Sequence, residues 1–125
     1  MTLALRSILE RGNLAKERIT FRVTDNIDVG DFALLQCSTI EEVLTTTVYK
    51  AFWFQYAEVS SGDLVVLYTK AGDIRSKDLG GGRKAHFFYW GLSSPIWHED
   101  EVAAVVLRAP QWESKSVTEL TGKTA

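Results

Sequence analysis

The chain has one cysteine, Cys37, so it holds no internal disulfide. A lone thiol fits a reducing compartment. Cys37 closes the apolar run Phe32–Cys37 and reads as a small core residue. There are only two histidines. His86 and His98, taken with Cys37, show no zinc-ligand spacing, so neither a metal nor a cofactor is expected. No apolar run approaches the roughly 18 residues that a membrane helix needs. The N-terminus carries charges where a secretory segment would be apolar. The expectation is a soluble intracellular protein, cytoplasmic by default, with no membrane insertion. Charge of one sign is also missing: 14 basic and 16 acidic residues leave a net charge of −2. That balance argues against general polyanion binding and leaves room for a local basic patch. Nucleophile-elbow, zinc-protease, Walker A and dinucleotide patterns are all absent, so no catalytic residue is assigned.

What is present is a β pattern in a chain of single-domain length, 125 residues. Residues 2–11 alone suggest a helix. Thr2 would cap it, Leu5, Ile8 and Leu9 would share a face, and Gly12 would stop it. Residues 1–16 are therefore assigned as N-terminal helix and linker. From Glu17 the period becomes two: Ile19, Phe21 and Val23 alternate with Arg18, Thr20 and Arg22. Further strands are read at Phe32–Cys37, Thr47–Gln55, Leu64–Thr69, 85–90 and Val102–Leu107, with a last short one at Gln111–Glu113. Ser38–Thr46 is open between one helical turn and an irregular crossover. Leu64–Thr69 is apolar on both faces, as in a central strand, and Leu64, Val66, Val105 and Leu107 are expected in the core. Residues 17–113 thus form the β domain, and 114–125 a frayed polar tail. The fold class is all-β: an antiparallel sandwich with a short N-terminal helix.

The order of signals over Glu17–Glu113 resembles the lamin tail domain, an immunoglobulin-like β-sandwich. The likeness lies in the early strand Ile19–Val23, then Gly30-Asp31-Phe32-Ala33-Leu34-Leu35, then Phe52-Trp53-Phe54. The polar turn Ser61-Gly62-Asp63 follows and feeds Leu64-Val65-Val66-Leu67. Trp90-Gly91-Leu92 and Pro95-Ile96-Trp97 come next, and Val102–Leu107 stands for the penultimate strand. The 70–84 segment is longer and more basic than the family pattern, an N-terminal segment precedes the domain, and His98-Glu99-Asp100-Glu101 replaces the usual turn. The resemblance implies a binding and scaffolding module without catalytic residues.

Three segments are candidates for recognition. The stretch 70–84 reads as a mobile glycine-rich loop bearing Lys70, Arg75, Lys77, Arg83 and Lys84, the residue types that contact phosphates or acidic proteins. The run His86–Trp90 is aromatic on both faces. One face must be core, and the other, with Tyr89, either packs beneath the loop or forms a platform for a ring. The turn Trp97–Glu101 joins Trp97 and His98 to carboxylates that resemble a Ca²⁺ donor set without its spacing. Together Lys70, Arg75, Lys77, Arg83, Lys84, Tyr89, Trp97 and His98 form the expected contact surface. The expected function is a non-catalytic interaction module for a protein partner, with self-association as one form of it. A carbohydrate or nucleic-acid binder is the alternative, and a small hydrolase the distant third.

Overall fold

The structure, a computed structural model, describes residues 1–122 and is mostly β. Its strands are β1 (Leu3–Leu9), β2 (Arg18–Val23), β3 (Ile27–Asp28), β4 (Phe32–Ile40), β5 (Val43–Trp53), β6 (Glu58–Val59), β7 (Leu64–Tyr68), β8 (Arg75–Gly80), β9 (Arg83–Tyr89) and β10 (Val102–Arg108). They form a five-stranded sheet in the order β1-β2-β7-β9-β8, a three-stranded sheet β10-β4-β5, and the small pair β3-β6. Among the described residues no helix is long and apolar enough to cross a membrane.

One core joins the two main sheets. Phe21 of β2 and Phe88 of β9 both meet the ring of Phe54, just past β5, edge to face at 5.7 and 5.1 Å. Such pairs add roughly 0.5–1.5 kcal/mol each to simple area burial. Ile19, Val23, Val65, Leu67, Leu34 and Trp97 complete the buried cluster. Cys37 is buried beside it as a free thiol.

The structure corrects several expectations. The N-terminal segment is strand β1, not a helix, and it pairs antiparallel with β2. The register slips between Leu5 and Ser7, a bulge at Arg6. One extra residue shifts the alternation, so Leu5 and Ile8 end up three apart and imitate a helical face. The 70–84 segment is not an unstructured loop, because β8 lies within it. Every residue of β8 is exposed, so no apolar alternation marks it; backbone pairing to β9 alone defines it. The sheet is also not purely antiparallel, since β7 and β9 run parallel. The chain leaves β7, runs down the outer edge as β8, and returns as β9 between the two.

The open segment Ser38–Thr46 continues β4 through a tight turn into β5. Its central residues Glu41 and Glu42 have φ of 50° and 67°. Asn-Gly is the usual solution there, and a left-handed L-residue costs roughly 1–2 kcal/mol. The facing of two strands is one residue off. Val65 and Leu67, not Leu64, point into the core from β7; Val66 is buried on the other face. On β10, Val102, Ala104 and Val106 pack on the core, and Leu107 is 45% exposed. Both runs are apolar at every position, so alternation gives no phase there. Gln111–Glu113 is not a strand. Trp112 packs edge-on against Trp53 at 5.0 Å, and its Nε1 donates to the Tyr56 hydroxyl. The tail folds into α1 (Val117–Thr121), closed by a capping box between Ser116 and Glu119. Residues 123–125 of the tail lie outside the described residues.

Candidate functional site

The outer face of the five-stranded sheet gathers basic and aromatic side chains. Alternation places Arg18, Thr20 and Arg22 there from β2, Leu64, Val66 and Tyr68 from β7, Arg83, Ala85, Phe87 and Tyr89 from β9, and Arg75 and Lys77 from β8. The register sets them beside one another: Arg18 opposite Tyr68, Arg22 opposite Leu64, Tyr68 opposite Tyr89, and Arg75 opposite Phe87. No acidic residue occupies any of these positions. Thr20, Val66 and Ala85 are buried although they face outward, as expected where long neighbouring side chains close over small ones.

At one end of this face the cations rest on rings. Tyr68 and Tyr89 stack at 5.2 Å with 10° between their planes. The Lys70 Nζ lies 5.1 Å from the Tyr68 centroid, and the Arg18 guanidinium lies 5.9 Å from it. The Arg75 guanidinium sits 5.4 Å from Phe87, whose ring leans on Tyr68 at 6.3 Å. The backbone of Gly72 lies so close to Tyr89 that a Cβ there would be 2.5 Å from its ring. The ring faces are thus taken by cations, by one another or by backbone. They hold charges in place and leave little flat surface for a base or sugar.

The other end of the face opens into a cleft of about 520 Å³, lined by Arg6, Arg22 and Arg83 with Leu64 and Leu79. None of these arginines is in a salt bridge among the described residues. Asp63 forms part of the floor, but its carboxylate is already engaged. It accepts from the backbone N–H of Ser60 and of Lys84, each at 3.0 Å, and meets His86 Nε2 at 2.8 Å. Burial pushes the Asp63 pKa up, yet these bonds and the attraction of His86 outweigh it and hold the group below its ordinary value. Ser76 stands opposite His86 on β8. No hydrogen bond joins the Ser76 hydroxyl to the imidazole among the described residues, so Ser76, His86 and Asp63 do not form a nucleophile relay.

Glu17 anchors the end of the sheet nearest Arg18. Its fully buried carboxylate accepts from the N–H groups of Gly12, Ile96 and Trp97 at 3.0, 2.9 and 3.1 Å, and from the Thr69 hydroxyl at 2.6 Å. Burial raises its pKa, and the four donors together bring it below the ordinary carboxylate value. One side chain therefore ties the turn after β1, the end of β7 and the segment before β10 together.

The expected contact residues divide. Lys70, Arg75, Lys77, Arg83 and Tyr89 share the outer face. Lys84 alternates to the opposite face, and its backbone N–H serves Asp63. Trp97 is in the core, 2% exposed, with its carbonyl accepting from Arg11 Nε. His98 is exposed beside Glu99 at 3.8 Å, next to Gly12. Trp97 and His98 are therefore not part of this surface. Sequence reasoning missed Arg6, Arg18, Arg22 and Tyr68, and it placed Phe87 beside Tyr89 in the aromatic strand. Arg18 and Arg22 were accessible from the alternation of β2, but only the sheet order brings them beside the basic stretch. No family model, no curated protein and no solved structure matches the chain.

Proposed function

We propose that the chain is a non-catalytic interaction module, an immunoglobulin-like β-sandwich resembling a lamin tail domain, that docks an acidic protein surface on the outer face of its five-stranded sheet. The observation that carries this reading is the row of cations without carboxylate partners, Arg6, Arg22 and Arg83 at one end and Arg18, Lys70 and Arg75 at the other, on a face whose strand positions carry no acidic side chain and where the Asp63 carboxylate in the cleft floor is already engaged. Arginines held rigidly by rings lose little entropy on pairing with carboxylates, and guanidinium geometry suits bidentate contact. Sugar and base recognition both require free ring faces, and the packing of Tyr68, Phe87 and Tyr89 leaves few.

The test is a comparison of ligand classes on one protein. A glutamate-rich peptide, a single-stranded oligonucleotide, a duplex and a panel of glycans are titrated at low and at physiological salt. Binding of the peptide alone, weakened by salt and lost in Arg18→Ser/Arg75→Ser, is expected. Tight oligonucleotide binding with a steep salt slope, or glycan binding that quenches tryptophan fluorescence, would replace this reading with one of its alternatives.

A further inference from the structure

We infer that the cleft of Arg6, Arg22 and Arg83 receives the β4–β5 hairpin tip of a second copy of this chain, so that the protein assembles head to tail. The inference rests on the reading of the outer face as a docking surface for acidic proteins, and it names the protein that docks.

The tip and the cleft are complementary in charge and in apolar content. The tip presents Glu41 and Glu42 between Ile40 and Val43, which are 69% and 68% exposed. The cleft presents three arginines without salt bridges and the side chains of Leu64 and Leu79. Its volume of about 520 Å³ falls within the roughly 300–1,000 Å³ of ordinary ligand pockets. More negative charge lies beside the tip. The Thr39 N–H donates to the Glu101 carbonyl, which brings Glu99, Asp100 and Glu101 next to the end of β4.

The geometry makes the contact intermolecular. Asp100 pairs with Arg11, just beyond the last residue of β1, so the acidic group sits at the Leu9 and Arg18 end of the five-stranded sheet. The cleft, lined by Val23, Thr24, Ser61 and Gly62, lies at the opposite end. A tip at one end cannot reach a cleft at the other within one chain. A contact between two different patches is heterologous and propagates as a ring or a filament. Edge-to-edge pairing through β5 is the competing mode. The register breaks in the β4–β5 pair and the left-handed Thr46 (φ 67°) interrupt that edge, a device that discourages strand addition.

Sedimentation velocity on the full chain tests the inference. Wild type is expected to gain mass with concentration at low salt and to lose that gain at high salt. Glu41→Asn/Glu42→Gly supplies the residues that the turn prefers; it is expected to be monomeric while melting no lower than wild type, so that loss of assembly is not unfolding. Arg22→Glu/Arg83→Glu is expected to weaken association by about tenfold or more per reversed charge. Mixing the two variants is expected to give a one-to-one dimer that grows no further, because one intact tip and one intact cleft remain. A wild-type monomer at every concentration, or unchanged assembly of Glu41→Asn/Glu42→Gly, overturns the inference. If that monomer still binds a glutamate-rich peptide and Arg22→Glu/Arg83→Glu does not, the docking face stands and only its occupant is wrong. If neither binds, both readings fall.

Discussion

Tyr68 and Tyr89 stand directly opposite each other across the parallel β7–β9 pair, with rings stacked 5.2 Å apart. Parallel pairing aligns them, and the stacked pair carries Lys70 and Arg18 on its margins. The arrangement depends on Gly72, whose backbone lies against Tyr89 with no room for a Cβ. Gly72→Ala is expected to displace the ring and to destabilise by about 1–3 kcal/mol, as overpacking does. A thermal melt and the near-ultraviolet tyrosine signal report it. An unchanged melt with an unchanged signal would show that the ring has space elsewhere.

Glu17 holds three segments through one buried carboxylate. Glu17→Gln keeps the volume but leaves a single acceptor oxygen for donors that now share two. A cost of about 3 kcal/mol is expected, since buried donors are left unpaired. Denaturant unfolding checks this value. A change below about 0.5 kcal/mol, the usual size of surface effects, would remove the clamp from the account.

The same carboxylate gives a pH dependence. Glu17 and Asp63 both have folded pKa values below their ordinary ones. A group depressed in the folded state contributes its full stability above its unfolded pKa, about 4, and loses it as pH falls through the folded value. Melting temperature is therefore expected to hold from neutral pH down to about 5 and to drop below about 4. Glu17→Gln should flatten part of that drop. A melting temperature that rises on acidification through this range would reverse the sign and contradict the assignment.

Burial separates two large apolar residues of the three-stranded side, Phe54 and Leu107. Phe54 is buried where Phe21 and Phe88 converge, and Phe54→Ala is expected to cost about 3–5 kcal/mol. Leu107→Ala, on the exposed side of β10, is expected to cost about 0.5 kcal/mol or less. Unfolding curves for the two variants, measured side by side, check the phase of β10 against a fully buried reference. Equal losses would mean that β10 faces the other way.

The β character was legible because Ile19, Phe21 and Val23 alternate cleanly with polar residues, and Leu64–Thr69 showed its central place by being apolar throughout. Three things were hidden for physical reasons. The bulge at Arg6 disguised β1 as a helix. Strand β8 has two solvated faces, so its composition is that of a loop. The Glu41-Glu42 turn lacks turn residues, which left the β4–β5 hairpin unread. The site was half legible. Lys70, Arg75, Lys77 and Arg83 cluster in the sequence, whereas Arg6, Arg18 and Arg22 reach the same surface only through the β1-β2-β7-β9-β8 order. Glu17 and Asp63 were not singled out in the sequence, because most of their partners are distant in it: Thr69 and Trp97 lie 52 and 80 residues from Glu17, and Lys84 and His86 lie 21 and 23 residues from Asp63.

Amide chemical-shift mapping with a glutamate-rich peptide tests the docking face most directly. Shifts are expected along Arg18–Arg22, Leu64–Tyr68 and Arg83–Tyr89, reduced by added salt and abolished in Arg22→Glu/Arg83→Glu. Shifts confined to the three-stranded sheet, or no shifts at low salt, would contradict the assignment of this surface.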